Sequence, residues 1–530
     1  MARRDVQPAD LPGFSQKPVT RRAVIAGAGA AIAAVGGRGL FGPLGTAVAE
    51  TIDKPWKHAM DPRGSDIALT AGKQTEARFG FMFKDPPSYG PPDELLQQLA
   101  AQMGEPAEAS LENPDILSGE VFLGQFIDHD MTFDRTPMPE QQLDPKGLVN
   151  FDSPLFDLAS VYGRGPDLDP QFYEDDGKHM RIVRTAEGVE DLPRLDDGTA
   201  LIGDPRNDEN LILTQLHLLF LKFHNRCLDT KLAKTFAEAE RLTRWHFQWV
   251  IVNDFLKAVV GAELVSQVLQ GSPPKPKIDF YKPVNVDRPM MPVEYAVAAF
   301  RFGHSMVRAG YTLNAAGGAP LFDPVRPDLR GNRPLPADFE IEWWRFFPVP
   351  GAPTSPRNQA RLIDSKLAIP LLNLPPTVVK DAMVSLAQRN LIRGKRLGLP
   401  AGQDVAKMMK MKPLSNAELG LPDSGNPGWA GKAPLWFYIL REAERQGGRR
   451  LGPLGAKLVA EVIVGILSCD KSSYIYDKTP FQPAPPIAPS GKFTMGEFAA
   501  FAQGLDRVSK EPRTVAVVMM IHPAVEGKGW

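Results

Sequence analysis

The chain predicts a mainly α-helical protein: a single large helical domain with long loops and little β-structure. Three observations carry this. Apolar residues recur at helical spacing in several long windows, and strand-type alternation is scarce. The chain is also rich in proline, with 51 residues that cluster in runs such as Gly271-Ser-Pro-Pro-Lys-Pro-Lys277 and Gln482-Pro-Ala-Pro-Pro-Ile-Ala-Pro489, which read as loops between helices. The pattern excludes a Rossmann sheet or a barrel.

In chain order, Thr20-Arg-Arg-Ala-Val-Ile25 precedes a mildly apolar Ala/Gly run, Ala26 to Gly36, and then Ala47-Val48-Ala49. Paired arginines, a weak apolar core and a small-residue cleavage pattern read as a twin-arginine export signal over 1–49. Residues 50–115 are Pro/Gly-punctuated and form an N-terminal wrapping arm. The catalytic domain is expected over 116–530. Within it, Leu211 to Lys231 has Leu213, Leu216, Leu219, Phe220 and Phe223 on one helical stripe. Val293 to Val307 and Pro370 to Asn390 repeat the pattern. Leu454 to Leu467 is apolar nearly all round, as a buried helix is. The segments Gly271–Arg288 and Asn314–Ala337 are loops.

Net charge is 61 − 62 = −1, and there is no basic block of the kind that binds nucleic acid. Cleavage after Ala49 removes six basic and two acidic residues, leaving 55 − 60 = −5. No other apolar run reaches the ~18 residues of a membrane span. The two cysteines, Cys227 and Cys469, lie in no CxxC or CxxCH pattern, so two buried free thiols are expected. Nothing in the composition sets the oligomeric state.

Four segments carry chemistry. In Gly124-Gln-Phe-Ile-Asp-His-Asp-Met-Thr132, helical geometry puts Gln125, Asp128 and His129 on one face and turns Asp130 off it. A buried imidazole beside a carboxylate needs partners, which a cofactor with a metal centre and polar edges supplies. In Gly203-Asp-Pro-Arg206-Asn-Asp-Glu209-Asn210, Arg206 and Glu209 can face one ligand, while Asp208 and Glu209 also suit a helix N-terminus. In Phe300-Arg301-Phe-Gly303-His304, Arg301 and His304 share a face. There Gly303 either admits a flat group or makes a packing contact. In Asn390-Leu-Ile-Arg393, Asn390 either pairs with an imidazole or caps a helix. His217 and His224 lie seven apart and read as satisfied polar residues in a helix bundle, and Met409-Lys-Met411 as packing. His58, His179, His246 and His522 carry no pattern.

These segments in this order resemble the animal haem peroxidase family, the peroxidase–cyclooxygenase superfamily. The likeness covers roughly residues 115–480 and includes Pro434-Leu-Trp436 and Gly452-Pro-Leu through Ala460-Glu-Val-Ile463. The resemblance implies an exported haem-dependent peroxidase that reduces hydrogen peroxide and, through an oxo-iron intermediate, oxidises small donors such as phenols, halides or thiocyanate. It implies that His129 is the distal acid–base histidine, a task suited to an imidazole. Arg206 is then the distal arginine and Gln125 the distal glutamine. His304 is the proximal iron ligand, Asn390 its hydrogen-bond partner, and Arg301 and Arg393 the propionate arginines. Asp128 and Glu209 match the carboxylates that ester-link haem b. The methionine that makes a third link in some members is replaced by Asn210, which excludes a sulfonium bond.

The resemblance also implies calcium, held by Asp130 with Ser153, Leu155, Asp157 and Ala159; at the last position the family usually has a serine or aspartate, so its carbonyl or Ser160 must substitute. Two other readings belong beside the peroxidase. Fatty-acid dioxygenases of the same fold place a tyrosine three residues before the proximal histidine, where this chain has Arg301, which argues against dioxygenase chemistry and leaves a lipid-peroxide-processing enzyme of that fold as the alternative. A non-catalytic haem-binding protein would need His304 but not the His129–Arg206 pair.

Overall fold

The computed structural model describes residues 79–505, except 106–110, 133–153, 271–274, 284–285, 287–288, 423–427 and 478–479. The signal segment 1–49, the arm up to residue 78 and Ser153 therefore lie outside the described residues.

The body is helical, as predicted. Among the described residues, strands occur only as six short two-stranded ladders, such as the parallel pairing of Phe79–Gly80 with Met291–Pro292. The described part of the arm is tied to the body by that pairing and by helix α1 (Asp93–Gln102), whose Asp93 meets Lys395 at 2.5 Å.

Three helices form the spine: α2 (Ser118–Met131), α3 (Leu211–Asp229) and α4 (Phe236–Val250). Phe126 of α2 stacks on Phe220 of α3 at 4.4 Å, and Phe247 of α4 meets both rings edge-on. Phe223 stacks on Phe498 of the terminal helix Met495–Ala502 at 4.2 Å. This aromatic column fixes the roll of α2 and so the direction of its polar residues. Asn210 starts α3 by accepting from Ile212 N at 2.9 Å, a side-chain cap that the apolar stripe did not reveal. Capping box Thr235/Glu238 starts α4.

Two predicted helices differ. Val293 to Val307 is broken into Val293–Val297, a 3₁₀ turn Ala299–Phe302 and Gly303–Met306. Arg301 Nε donates to Ala296 O at 2.9 Å, so a side chain occupies a carbonyl of the first piece and the chain turns. Pro370 to Asn390 is mostly irregular, because Pro375-Pro376 cannot continue a helix. The helix there is α5 (Leu386–Arg396), capped by Ser385, whose hydroxyl accepts from Gln388 N. The apolar segment matches helix α6 (Pro453–Cys469), buried along nearly its whole length. Of the two thiols expected to be buried, only Cys227 is; Cys469, at the end of α6, is half-buried.

His217, His224 and His246 are buried in the helical body. His224 Nδ1 meets the Tyr162 hydroxyl at 3.0 Å and its Nε2 the Lys178 carbonyl at 2.8 Å, so it is a satisfied core residue as expected. Burial disfavours the imidazolium and pushes His217 down to about 3, and His224 and His246 to about 4. Their folded values lie below the roughly 6.5 of the unfolded chain, so the stability they carry is full above that value and lost as pH falls through about 4. Melting temperature should drop steeply between pH 6 and pH 4. His246→Phe should keep more of its neutral-pH stability at pH 4.5 than the wild type does, because its ring sits among Phe223, Phe481 and Phe493. An identical fractional loss in both proteins would contradict this account.

Candidate active site

A cavity of about 790 Å³ lies between α2 and the broken Phe300–Val307 segment. Gln125, Asp128 and His129 line it from α2, Glu209 from the lead-in to α3, and Arg301, Gly303 and His304 from the broken helix. The break delivers His304 on a short helix that starts at Gly303, where an added Cβ would meet no described atom within 4 Å. A flat group can thus lie against that backbone.

Each imidazole has one nitrogen committed. His304 Nδ1 is 2.7 Å from the Asn390 side-chain amide, so Asn390 pairs with an imidazole and does not cap α5. His129 Nδ1 is 2.9 Å from Asn207 Oδ1, and the nitrogen of the same amide is 3.1 Å from His217 Nδ1. The Nε2 atoms are left for the cavity. Burial, then the charge of Arg206, push His129 down to about 4, so the ring is neutral.

Gln125 Nε2 donates to Glu209 Oε1 at 2.8 Å, and that oxygen lies 4.0 Å from His129 Nε2. Glu209 stands half-exposed in cavity space but is enclosed by protein, and this enclosure pushes its carboxyl up to about 7. Its neighbour Asp208 is buried and bound in bidentate fashion by Arg194, at 2.5 and 2.9 Å, with the Thr214 hydroxyl donating at 2.9 Å. Glu209 therefore faces the ligand space, and Asp208 anchors the segment.

Arg206 is placed differently. Its guanidinium pairs with buried Asp204 at 2.7 Å and donates to the carbonyls of His129, at 3.1 Å, and Thr132. Neither Arg206 nor Arg393 is among the described residues that line the cavity. Arg330 and Arg333 are, on the loop between Pro320 and Ala337; the expected loop from Asn314 differs in carrying the strand Gly317–Pro320, paired with Gly310–Asn314. Asp328 holds both: its carboxylate meets Arg330 Nε at 2.8 Å and its carbonyl accepts from Arg333 at 2.7 Å. Sequence reading passed over them as loop, and no periodic signal marks them. It also passed over Asn207, although the Arg206–Glu209 segment contains it.

Asp130 turns away from the cavity, as expected. Its carboxylate accepts from Leu158 N at 3.0 Å, Ser160 N at 3.3 Å and the Ser160 hydroxyl at 2.9 Å. Ala159 N donates to Asp157 Oδ1 at 3.0 Å. Burial, then the neighbouring Asp157 carboxylate, push Asp130 up to about 8. Among the described residues no group of three or more His, Cys, Asp or Glu side chains is gathered to hold a metal ion, and no helix is long and apolar enough to cross a membrane.

The sequence profile of the animal haem peroxidase family matches residues 113–419. The chain is 30% identical over 187 residues to a chorion peroxidase of Aedes aegypti, a stretch covering 32% of this chain and 23% of that protein. Among solved structures, peroxidase A of Dictyostelium discoideum shares the fold at a TM-score of 0.55 with 16% identity, over 76% of this chain and 88% of that one. A fatty acid alpha-dioxygenase of Arabidopsis thaliana does so at 0.52 with 14% identity, over 81% and 76%.

Arg194→Met should destabilise the fold by roughly 3–5 kcal/mol, because it leaves Asp191 and Asp208 as buried carboxylates without their cation. Urea denaturation measures it. A loss below about 1 kcal/mol would mean that the pair contributes no more than a surface ion pair does.

Proposed function

Because the chain belongs to the animal haem peroxidase family, we propose that it is a haem-dependent peroxidase that reduces hydrogen peroxide and oxidises small donors such as phenols, halides or thiocyanate. The observation that carries this is the pairing of two neutral histidines on one cavity, each tied at Nδ1 to an asparagine and open at Nε2. The residues fit the group: open space over Gly303 admits a flat macrocycle, and His304 Nε2 is free to ligate its iron.

Bound there, haem would supply the redox chemistry that couples peroxide reduction to oxidation of the donor. The chain supplies the proton chemistry. His129 Nε2 takes a proton from one peroxide oxygen and returns it to the departing one, and its neutrality makes it competent as the base. Gln125 holds the small reactant by hydrogen bonding. Arg206 acts through His129, holding the end of α2 by its carbonyls and keeping the ring unprotonated by its charge. Asn390 steadies His304. Arg301 lines the cavity and would pair with a haem propionate, with Arg393 as its proposed partner and the cavity-lining Arg330 and Arg333 as further cations. Asp128 and Glu209 both line the cavity, which supports ester links to haem.

Calcium is the second proposed group, at Asp130, Asp157 and the carbonyls of Leu155 and Ala159, with Ser153. The Asp157 carboxylate beside buried Asp130, which disfavours ionisation of Asp130, supports it. The donors already on Asp130 must then rearrange. The twin-arginine pattern supports export.

Haem-loaded protein should show a Soret band that changes on stoichiometric peroxide and returns on adding a phenol or bromide. His304→Ala should lose the bound haem. His129→Gln should keep it but react with peroxide roughly 10²–10⁴-fold more slowly. Haem that resists denaturing extraction, and does so no longer in Asp128→Asn with Glu209→Gln, would establish the esters. A His129→Gln protein as fast as the wild type would sink the peroxidase reading.

Calcium at millimolar concentration should raise the melting temperature of the wild type and leave that of Asp130→Asn unmoved. Equal behaviour of the two would rule out the site.

A further inference from the structure

Asn207 sits between His129 and His217 and is fully buried, as is His217. An amide has one accepting end and one donating end. In the orientation placed here its Oδ1 is 2.9 Å from His129 Nδ1 and its Nδ2 is 3.1 Å from His217 Nδ1, and with the amide that way round His129 Nδ1 is the donor and His217 Nδ1 the acceptor. A neutral His129 with its proton on Nδ1 carries its lone pair on Nε2, towards the cavity. A reversed amide would put the proton on Nε2, where the ring could not take one from a reactant.

The mount of this amide is rigid. Asn207 lies in the 3₁₀ turn Pro205–Asp208, with its own N–H bonded to Asp204 O at 3.0 Å. On either side, Arg206 is held by Asp204 and Asp208 by Arg194. The other charged groups around His129 are Asp128 and Glu209. Glu209 Oε1 is 4.0 Å from Nε2, beyond hydrogen-bond reach, and already accepts from Gln125, so it does not claim a proton there.

We propose that Asn207 is a positioning residue that holds His129 in the Nδ1–H tautomer. The role in reaction rests on the peroxidase reading of His129; the tautomer itself does not. The full chain, labelled with ¹⁵N-histidine and loaded with diamagnetic zinc protoporphyrin, reports the tautomer through its imidazole nitrogen shifts, with His129 assigned by the signal lost in His129→Gln. The wild type should show a protonated Nδ1 and a bare Nε2. Asn207→Leu should lose that signature, and its haem-loaded form should react with peroxide at least roughly tenfold more slowly. Asn207→Asp, which still accepts from Nδ1–H, should restore both.

A wild type with its proton on Nε2 would overturn the proposal, as would an Asn207→Leu protein that keeps the Nδ1–H signature. So would an Asn207→Asp protein as impaired as the leucine variant. Should the leucine variant fail to fold, the wild-type spectrum and Asn207→Asp decide. A wild type with the expected signature that ignores peroxide would sink the peroxidase reading and leave the tautomer assignment standing.

Discussion

Both cavity imidazoles spend their Nδ1 on an asparagine amide, and the arrangement of the site depends on this. Burial imposes it, because an imidazole cut off from water needs a partner for its polar atoms and cannot readily carry charge. His129 finds Asn207, 78 residues away, and His304 finds Asn390, 86 residues away. Each pair ties a cavity helix to a distant segment. Four parts of the chain must therefore arrive together: α2, the lead-in to α3, the broken helix and α5. Once they do, two Nε2 atoms are left for one cavity, and neither belongs to a charged ring.

The lead-in 203–210 is the part with most to hold, since it carries Asn207 and Glu209 within three residues. Backbone contact fixes it from two sides. A Cβ at Gly203 would run into the carbonyl of Ala159, and one at Gly331 into the backbone of Asp208. Gly331 N and Asn332 N donate to the carbonyls of Glu209 and Asp208 at 2.9 and 2.7 Å. Ion pairs fix it from within, Asp208 to Arg194 and Arg206 to Asp204. Arg206 is spent on this scaffolding in the structure. Its charge also helps keep the His129 ring neutral.

Much of this was legible in the sequence. The face of α2 followed from helical periodicity, because Gln125, Asp128 and His129 recur at three- and four-residue spacing. The long apolar helices were legible for the same reason. What was not legible depends on tertiary contact. The break after Val297 comes from Arg301 reaching back to Ala296 O, which no periodicity encodes. Asn207 was invisible because an asparagine between two charged residues in a turn reads as local turn chemistry. Arg330 and Arg333 sit in a loop whose partners are set by the fold alone.

Position 301 bears on the chemistry more than the fold does. Solved peroxidase and dioxygenase structures share this architecture with the chain at nearly the same TM-score, 0.55 and 0.52, so the architecture cannot choose between them. Arg301 lines the cavity three residues before His304, where the dioxygenase pattern places a tyrosine, and its backbone carbonyl is held by Trp436 Nε1 at 3.1 Å. An arginine there offers a fixed cation for an anionic edge of a cofactor, and it has no phenol to form a radical. Tyr295, nine residues before His304, is fully buried, stacked on Phe300 at 4.8 Å, and its hydroxyl faces Met131. The cavity thus presents two neutral imidazoles, His129 and His304, with Arg301, Arg330 and Arg333 around them, and no tyrosine is among the described residues that line it.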